Sequence, residues 1–323
     1  MFKIINKIDP KVNYVDYIKD FKVLIFKELF IKEKFYDETL TKILELINVE
    51  DNNIDKISFL ESISEKLSGK DIINLHFSLK KNLQPFLMGT TKSIFEKLLQ
   101  TDNFWINENS VIRSMTPHSC IIENPSFKEY RGKLELHNPH IDSQQFVAYN
   151  AINYWIPLTN INDENTLMFF PETINKFIPT NRGAIKKDAY LGEPLLLKCE
   201  PGDVIVFHSQ LVHSPVLNTS KVTRWVITNR ITNEIPNHPR NFFPLKYFKA
   251  KYLNDNNYSK FIKSYRLDFF RIKNILIIIE YYINRIIKKI IHKSFKNILL
   301  KLIEFIFNPF FKDKRFAYNF NKK

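Results

Sequence analysis

The chain has 323 residues, 44% of them apolar and 25% charged, which supplies a sizeable core and excludes global disorder. Its net charge of +14 is not spread evenly: Asn241 to Lys323 hold 19 Lys+Arg against 5 Asp+Glu, so the preceding 240 residues are neutral overall. The two cysteines, Cys120 and Cys199, form no disulfide framework and read as buried thiols in a reducing compartment. The N-terminus carries no long apolar stretch with a small-residue cleavage site, and the longest apolar run, Ile275 to Ile279, is far too short to span a membrane. A cytoplasmic location is therefore expected.

Residues 1–103 read as a helical region. Tyr17 to Ile47 mixes Leu, Ile and Phe with Lys and Glu at helix-like spacing, with polar breaks at Asp51 to Asp55 and Ser68 to Asp71. Ile72 to Leu99 follows as a second helical stretch, with interruptions expected near Pro85 and Gly89. From 104 to 240 the pattern changes to short strands between turns. The expected strands are Val111 to Met115, Gly132 to Leu136, Phe146 to Leu158, Thr166 to Phe170, Pro194 to Cys199, Val204 to Phe207 and Arg224 to Ile231. Many short strands favour a jelly roll. The expected fold is thus α+β, with N-terminal helices packed on the core and a basic helical extension at 241–323. In that extension Ile272, Ile275, Leu276, Ile279, Ile283, Ile286 and Ile287 recur at spacings of three and four, flanked by Arg285, Lys288 and Lys289.

The chemistry-bearing residues lie in the strand-rich part. His140-Ile141-Asp142 places an imidazole and a carboxylate two residues apart, on one face if the segment is a strand. Alone this triplet is common. Further along, Pro201-Gly202-Asp203 turns into a strand, His213 follows, and Arg224 stands eleven residues beyond it. Two His and one carboxylate from distant segments make the ligand set of non-haem Fe(II) oxygenases, which leaves coordination positions open for a 2-oxo acid and O2. Arg224 suits the far carboxylate of 2-oxoglutarate, because its planar fork pairs with both oxygens.

On these residues the chain resembles the phytanoyl-CoA dioxygenase-like superfamily of Fe(II)/2-oxoglutarate oxygenases. The matching positions are His140-Ile141-Asp142, Pro157-Leu158, Glu164-Asn165, Gly202-Asp203, His213 and Arg224. The run Asn153 to Leu158, with Glu164 to Leu167 and Phe169-Phe170-Pro171, looks closest to the oxygenases found sporadically in carbohydrate-biosynthesis clusters, the streptomycin-cluster type. The resemblance covers about residues 105 to 232. It implies a double-stranded β-helix, Fe(II) on His140, Asp142 and His213, and 2-oxoglutarate as co-substrate on Arg224. Because Asp142 is present, it also implies hydroxylation or another oxidation rather than halogenation. Two departures, Pro171-Glu172-Thr173-Ile174 and Ser214 after the distal His, bear on the substrate pocket.

Several neighbours carry expectations of their own. Asn153 and Thr159 are offered to the 2-oxoglutarate carboxylate near the iron or to structure, and Gln145 to the substrate pocket. His137 and His208 are the rivals of His140 and His213. Arg113 and Arg131 lie on or beside strands leading to the site and read as surface arginines rather than anchors for an anionic substrate. Asp203 is expected to shape its turn. The expected substrate is a small molecule, namely a sugar, nucleotide sugar or lipid-linked glycan intermediate, with a lipid or acyl-CoA as the alternative. The rival outside that class is a non-catalytic jelly-roll module that binds a glycan. A cupin-type metal enzyme lacks its His-x-His pair here and gives Arg224 no task. Residues 271–311 are expected either to lie peripherally on the inner face of an anionic membrane or to pack on protein. No nucleic-acid module accompanies the charge.

Overall fold

A computed structural model describes residues 1–49, 54–130, 134, 138–145, 147–176, 178, 180–181, 184–186, 188–238 and 247–253. In chain order its strands are β1 (Phe2–Ile5), β2 (Val23–Phe26), β3 (Trp105–Asn107), β4 (Val111–Met115), β5 (Ile152–Pro157), β6 (Leu167–Phe169), β7 (Thr180–Asn181), β8 (Ala184–Ile185), β9 (Leu195–Leu196), β10 (Val204–His208), β11 (His213–Pro215), β12 (Arg224–Thr232) and β13 (Tyr247–Lys249). The larger sheet runs β1-β2-β10-β5-β12-β3-β13, with β4 also paired to β12. A smaller sheet, β11-β6-β9, faces it, and β7 and β8 form a separate hairpin.

One apolar cluster fills the space between the two sheets. It joins Val23, Ile25, Trp155, Ile205, Phe207 and Val226 of the larger sheet to Leu167 and Phe169 of the smaller. The alternate residues, Leu24, Phe26, Tyr154, Ile156, Val206, Trp225 and Ile227, point the other way and pack under the helices. Period-2 alternation thus gives each central strand two buried faces. This is the expected jelly roll, helix-covered on one side.

The cover is dominated by one helix, Gly69–Leu99. Ser68 caps it: its hydroxyl accepts from Asp71 N–H while the Asp71 carboxylate accepts from Ser68 N–H. What reads as a break at Ser68 to Asp71 is therefore a helix start. Gly69 is required for packing, since a Cβ there would lie 2.5 Å from the Ser126 carbonyl oxygen. The expected interruption at Pro85 does not occur. Pro85 sits on the exposed face, where water can serve the carbonyl that proline leaves without a donor, while Leu79, Leu83, Leu87 and Met88 hold the opposite face in the core.

Other expectations are corrected. The N-terminal region is not all helix: β1 and β2 extend the larger sheet, β2 pairing with β10. Val23-Leu24-Ile25-Phe26 is buried on every side chain, so it shows no alternation, and an unbroken apolar run cannot be assigned by periodicity. The strand expected from Phe146 begins only at Ile152, and that expected over Pro194 to Cys199 shrinks to Leu195–Leu196. Tyr247–Lys249, inside the expected helical extension, is a strand paired with β3. The strand expected at Gly132 to Leu136 lies outside the described residues except for Leu134, which is helical, and the polar break after Val49 lies largely outside them too. The amphipathic pattern at 271–311 lies wholly outside them. Both cysteines are free, and no helix among the described residues is long and apolar enough to cross a membrane.

Candidate active site

His140 and Asp142 do not lie on a regular strand. His140 makes an isolated bridge to His213, each backbone N–H donating to the other's carbonyl at 3.0 and 3.1 Å. Asp142 then opens a 3-10 turn, Asp142–Gln145, anchored by its own N–H to the Ser209 carbonyl at 3.1 Å. The expected shared face survives by this different route. Nitrogen and oxygen donors of His140, Asp142 and His213 lie within 4.8 Å of one another, near enough for one ion to reach all three.

The tautomers follow from the second nitrogen of each ring. Nδ1 of His140 lies 2.9 Å from the Asn138 carbonyl, and Nδ1 of His213 lies 2.8 Å from that of Leu211. A carbonyl only accepts, so each Nδ1 carries the proton and each Nε2 keeps its lone pair for a metal. Burial and the neighbouring His213 lower the pKa of His140 to about 4, against a smaller opposing pull from Asp142. Burial lowers His213 as well. Both imidazoles are therefore neutral, the form that binds metal, well below the usual histidine range. A Zn(II) titration should show affinity nearly flat between pH 7 and about pH 5. A tenfold loss per unit starting near pH 6.5 would mean that the rings titrate as exposed histidines do.

Asp142 is fully buried, and burial alone would raise its pKa. Arg230 outweighs that, and the carboxyl is held well below the usual carboxylate range. Nη2 of Arg230 donates to Oδ1 at 2.9 Å, and the Asn153 amide donates to Oδ2. Asn153 and Arg230 are direct cross-strand partners on β5 and β12, so the sheet register delivers both donors to one carboxylate. Sequence reading missed Arg230. The available signal was parity: it lies six residues after Arg224 on the same strand and so shares its face.

Arg224 is 5% exposed and stacks 5.6 Å over the Trp155 ring. Its Nη1 donates to the carbonyls of Asn165 and Thr166 at 2.6 and 3.1 Å, while its Nε is buried with no hydrogen-bond partner among the described residues. Burial lowers its pKa to about 10, so it stays charged at neutral pH. A buried guanidinium with an unsatisfied N–H and no paired carboxylate among the described residues is a costly arrangement that an incoming carboxylate relieves. This orphaned donor is the observation by which the cavity fits 2-oxoglutarate.

The remaining sequence candidates divide. The Thr159 hydroxyl accepts from Trp225 N–H at 2.9 Å, and the Asn153 amide is engaged by Asp142, although Asn153 Oδ1 is buried without a hydrogen-bond partner among the described residues. Gln145 ends the 3-10 turn that Asp142 begins. His208 closes β10 against the Phe21 ring, outside the triad, and His137 and Arg131 lie outside the described residues. Asp203 accepts from Glu28 N–H and Glu200 N–H and pairs with Lys27, and so organises its turn. Gly202 beside it has φ +83°, a left-handed conformation that glycine adopts without strain. Arg113 is exposed, as expected, and its register partner is Val226, so it rises from the same face of the sheet as Arg224 and Arg230.

The family described as phytanoyl-CoA dioxygenase (PhyH) matches residues 64–226, half of the chain and all four of these site positions. The chain belongs to this family. It is an Fe(II)- and 2-oxoglutarate-dependent oxygenase. No curated sequence matches it. Among solved structures, it is similar to the non-haem α-ketoglutarate-dependent epimerase SnoN from nogalamycin biosynthesis at 12% identity and TM-score 0.42, covering 69% of this chain and 84% of that one. The carbocyclase SnoK from the same pathway gives 12% identity and TM-score 0.43 over 79% and 91% of the two chains. EctD from S. alaskensis gives 11% and 0.42 over 70% and 80%.

Proposed function

We propose that this member of the family hydroxylates a C–H bond of a small molecule, a sugar or glycan intermediate, with Fe(II) held by His140, Asp142 and His213 and the far carboxylate of 2-oxoglutarate held by Arg224. The observation that carries the site assignment is the pairing of a metal-competent triad, buried at Asp142 and His213, with a buried guanidinium that has no ion pair among the described residues. Iron with 2-oxoglutarate supplies O2 activation, consuming the co-substrate to succinate and CO2. The chain's own residues do the rest. The two Nδ1–H to carbonyl bonds aim the imidazoles, and Arg230 and Asn153 aim the Asp142 carboxylate. The apolar wall of Trp155, Phe169, Phe207 and Val226 keeps water from the reacting centre.

The sugar reading is supported by the resemblance of Asn153 to Leu158 and its following segments to oxygenases of carbohydrate clusters. The proposed organisation has 104–240 as the oxygenase core, 1–103 as the covering region that also lends it β1 and β2, and 241–323 as a basic extension that begins by lending it β13. Peripheral contact of 271–311 with an anionic membrane rests on the sequence pattern.

The test is an anaerobic titration of the Fe(II)-loaded protein with 2-oxoglutarate, followed by the weak visible metal-to-ligand charge-transfer band. Wild type should develop the band, and Asp142→Ala should lose it through loss of iron. Bound iron in the wild type without any band would overturn the 2-oxoglutarate assignment.

A further inference from the structure

The site-facing side of the larger sheet carries more positive charge than iron and co-substrate can use. Arg224, Val226, Thr228 and Arg230 share one face of β12, and β4 runs beside it with Arg113 opposite Val226. Three guanidinium groups therefore stand on one wall. Arg224 is tied to two carbonyls and Arg230 to Asp142. Arg113 has no hydrogen bond or ion pair with any described residue, and its side chain reaches water. It is nonetheless close to the site. Desolvation by the surrounding protein lowers its pKa although the residue keeps exposed surface, the charge of Arg230 lowers it further, and Asp142 raises it, while Arg224 in turn feels the charge of Arg113.

Asp142 is the carboxylate that acts on this group, and it already serves Arg230 and the metal. Fe(II) and the 2-oxoglutarate dianion cancel each other, so among the described residues the loaded site keeps the excess of three arginines over one aspartate. A neutral substrate would leave the charges of Arg113 and Arg230 repelling each other. A substrate oxyanion would relieve that repulsion and accept the unused fork of Arg113.

We propose that Arg113 anchors an anionic group of the substrate, a phosphate ester or a carboxylate, so that the molecule oxidised is an acidic sugar or sugar phosphate and not a neutral one. The inference rests on the reading above that Arg224 is occupied by 2-oxoglutarate.

The test uses the full chain loaded with Mn(II), a redox-quiet stand-in for Fe(II), and N-oxalylglycine, a stand-in for 2-oxoglutarate that occupies Arg224. Calorimetric titrations follow with inorganic phosphate, acetate and glucose. At least one anion should bind saturably and about tenfold or more tighter than glucose. Arg113→Ala should weaken it about tenfold while N-oxalylglycine affinity stays within about twofold, and Arg113→Lys should recover part of the loss. Phosphate bound in preference to acetate points to a phosphate ester, and the reverse to a carboxylate. The proposal is overturned if neither anion binds, if Arg113→Ala binds the anion as wild type does, or if that variant loses N-oxalylglycine to the same degree. Failure of N-oxalylglycine to bind the wild type would instead sink the Arg224 assignment. The comparison of wild type with Arg113→Ala in phosphate would still judge Arg113.

Discussion

Arg230→Met should lower the melting temperature of the metal-free protein by roughly 5–10 °C, and a bound divalent cation should close most of that gap. The reasoning starts from Asp142, a carboxylate with no exposed surface whose charge is balanced in the apo fold by Arg230. Removing one partner of such a pair leaves an uncompensated buried charge, a loss of about 3–5 kcal/mol. Two protons of the Arg230 fork face the two carboxylate oxygens, Nη2 at 2.9 Å and Nε at 3.4 Å, so methionine replaces the stem and none of the hydrogen bonding. A metal ion on His140, Asp142 and His213 supplies positive charge to the same carboxylate and substitutes for the missing guanidinium. Melting curves with and without Zn(II) measure both halves. An equal drop in the two conditions would mean that Arg230 acts through packing, and Arg230→Lys should then rescue nothing.

The second large effect concerns Arg224. Arg224→Ala should weaken 2-oxoglutarate binding to the metal-loaded protein by about 100-fold or more, leaving metal affinity within about threefold. A buried guanidinium paired with a carboxylate loses about 2–5 kcal/mol when truncated, and among the described residues no second cation is stacked on Trp155 to replace it. Arg224→Lys should lie between, since an ammonium keeps the charge but cannot present a planar fork or stack as well on the indole. Calorimetry on the Mn(II)-loaded protein reads co-substrate and metal separately. A variant that binds 2-oxoglutarate like wild type would remove Arg224 from the co-substrate pocket.

The candidate metal ligands were legible because histidine is rare, eight in the chain, and few of these have a carboxylate two residues on. His208 is excluded by where β10 ends, a fact of register that spacing alone does not contain. The helix-like reading of Val23 to Phe26 failed for a physical reason: a strand buried on both faces has no polar residues to mark its period. Arg113 is exposed, as read from the sequence, but that it shares a sheet face with Arg224 and Arg230 follows only from the pairing of β4 with β12. Arg230 was hidden in the same way, and so was the bond of Asn153 to Asp142. Their partnership with Asp142 depends on a cross-strand contact between segments more than seventy residues apart.

The mutual backbone clamp of His140 and His213 has an effect on metal choice. Since the two ligand segments already hold each other, the chain does not need a cation to bring them together, and little chain entropy remains to be lost when one arrives. A pocket assembled beforehand cannot use folding to discriminate between ions of similar size. Its equilibrium preferences should then follow the Irving–Williams series, with Ni(II), Cu(II) and Zn(II) outcompeting Fe(II) at equal concentration. Metallation with the productive ion is then governed by what the cell makes available, and purified protein should gain activity when such inert occupants are chelated out before iron is restored.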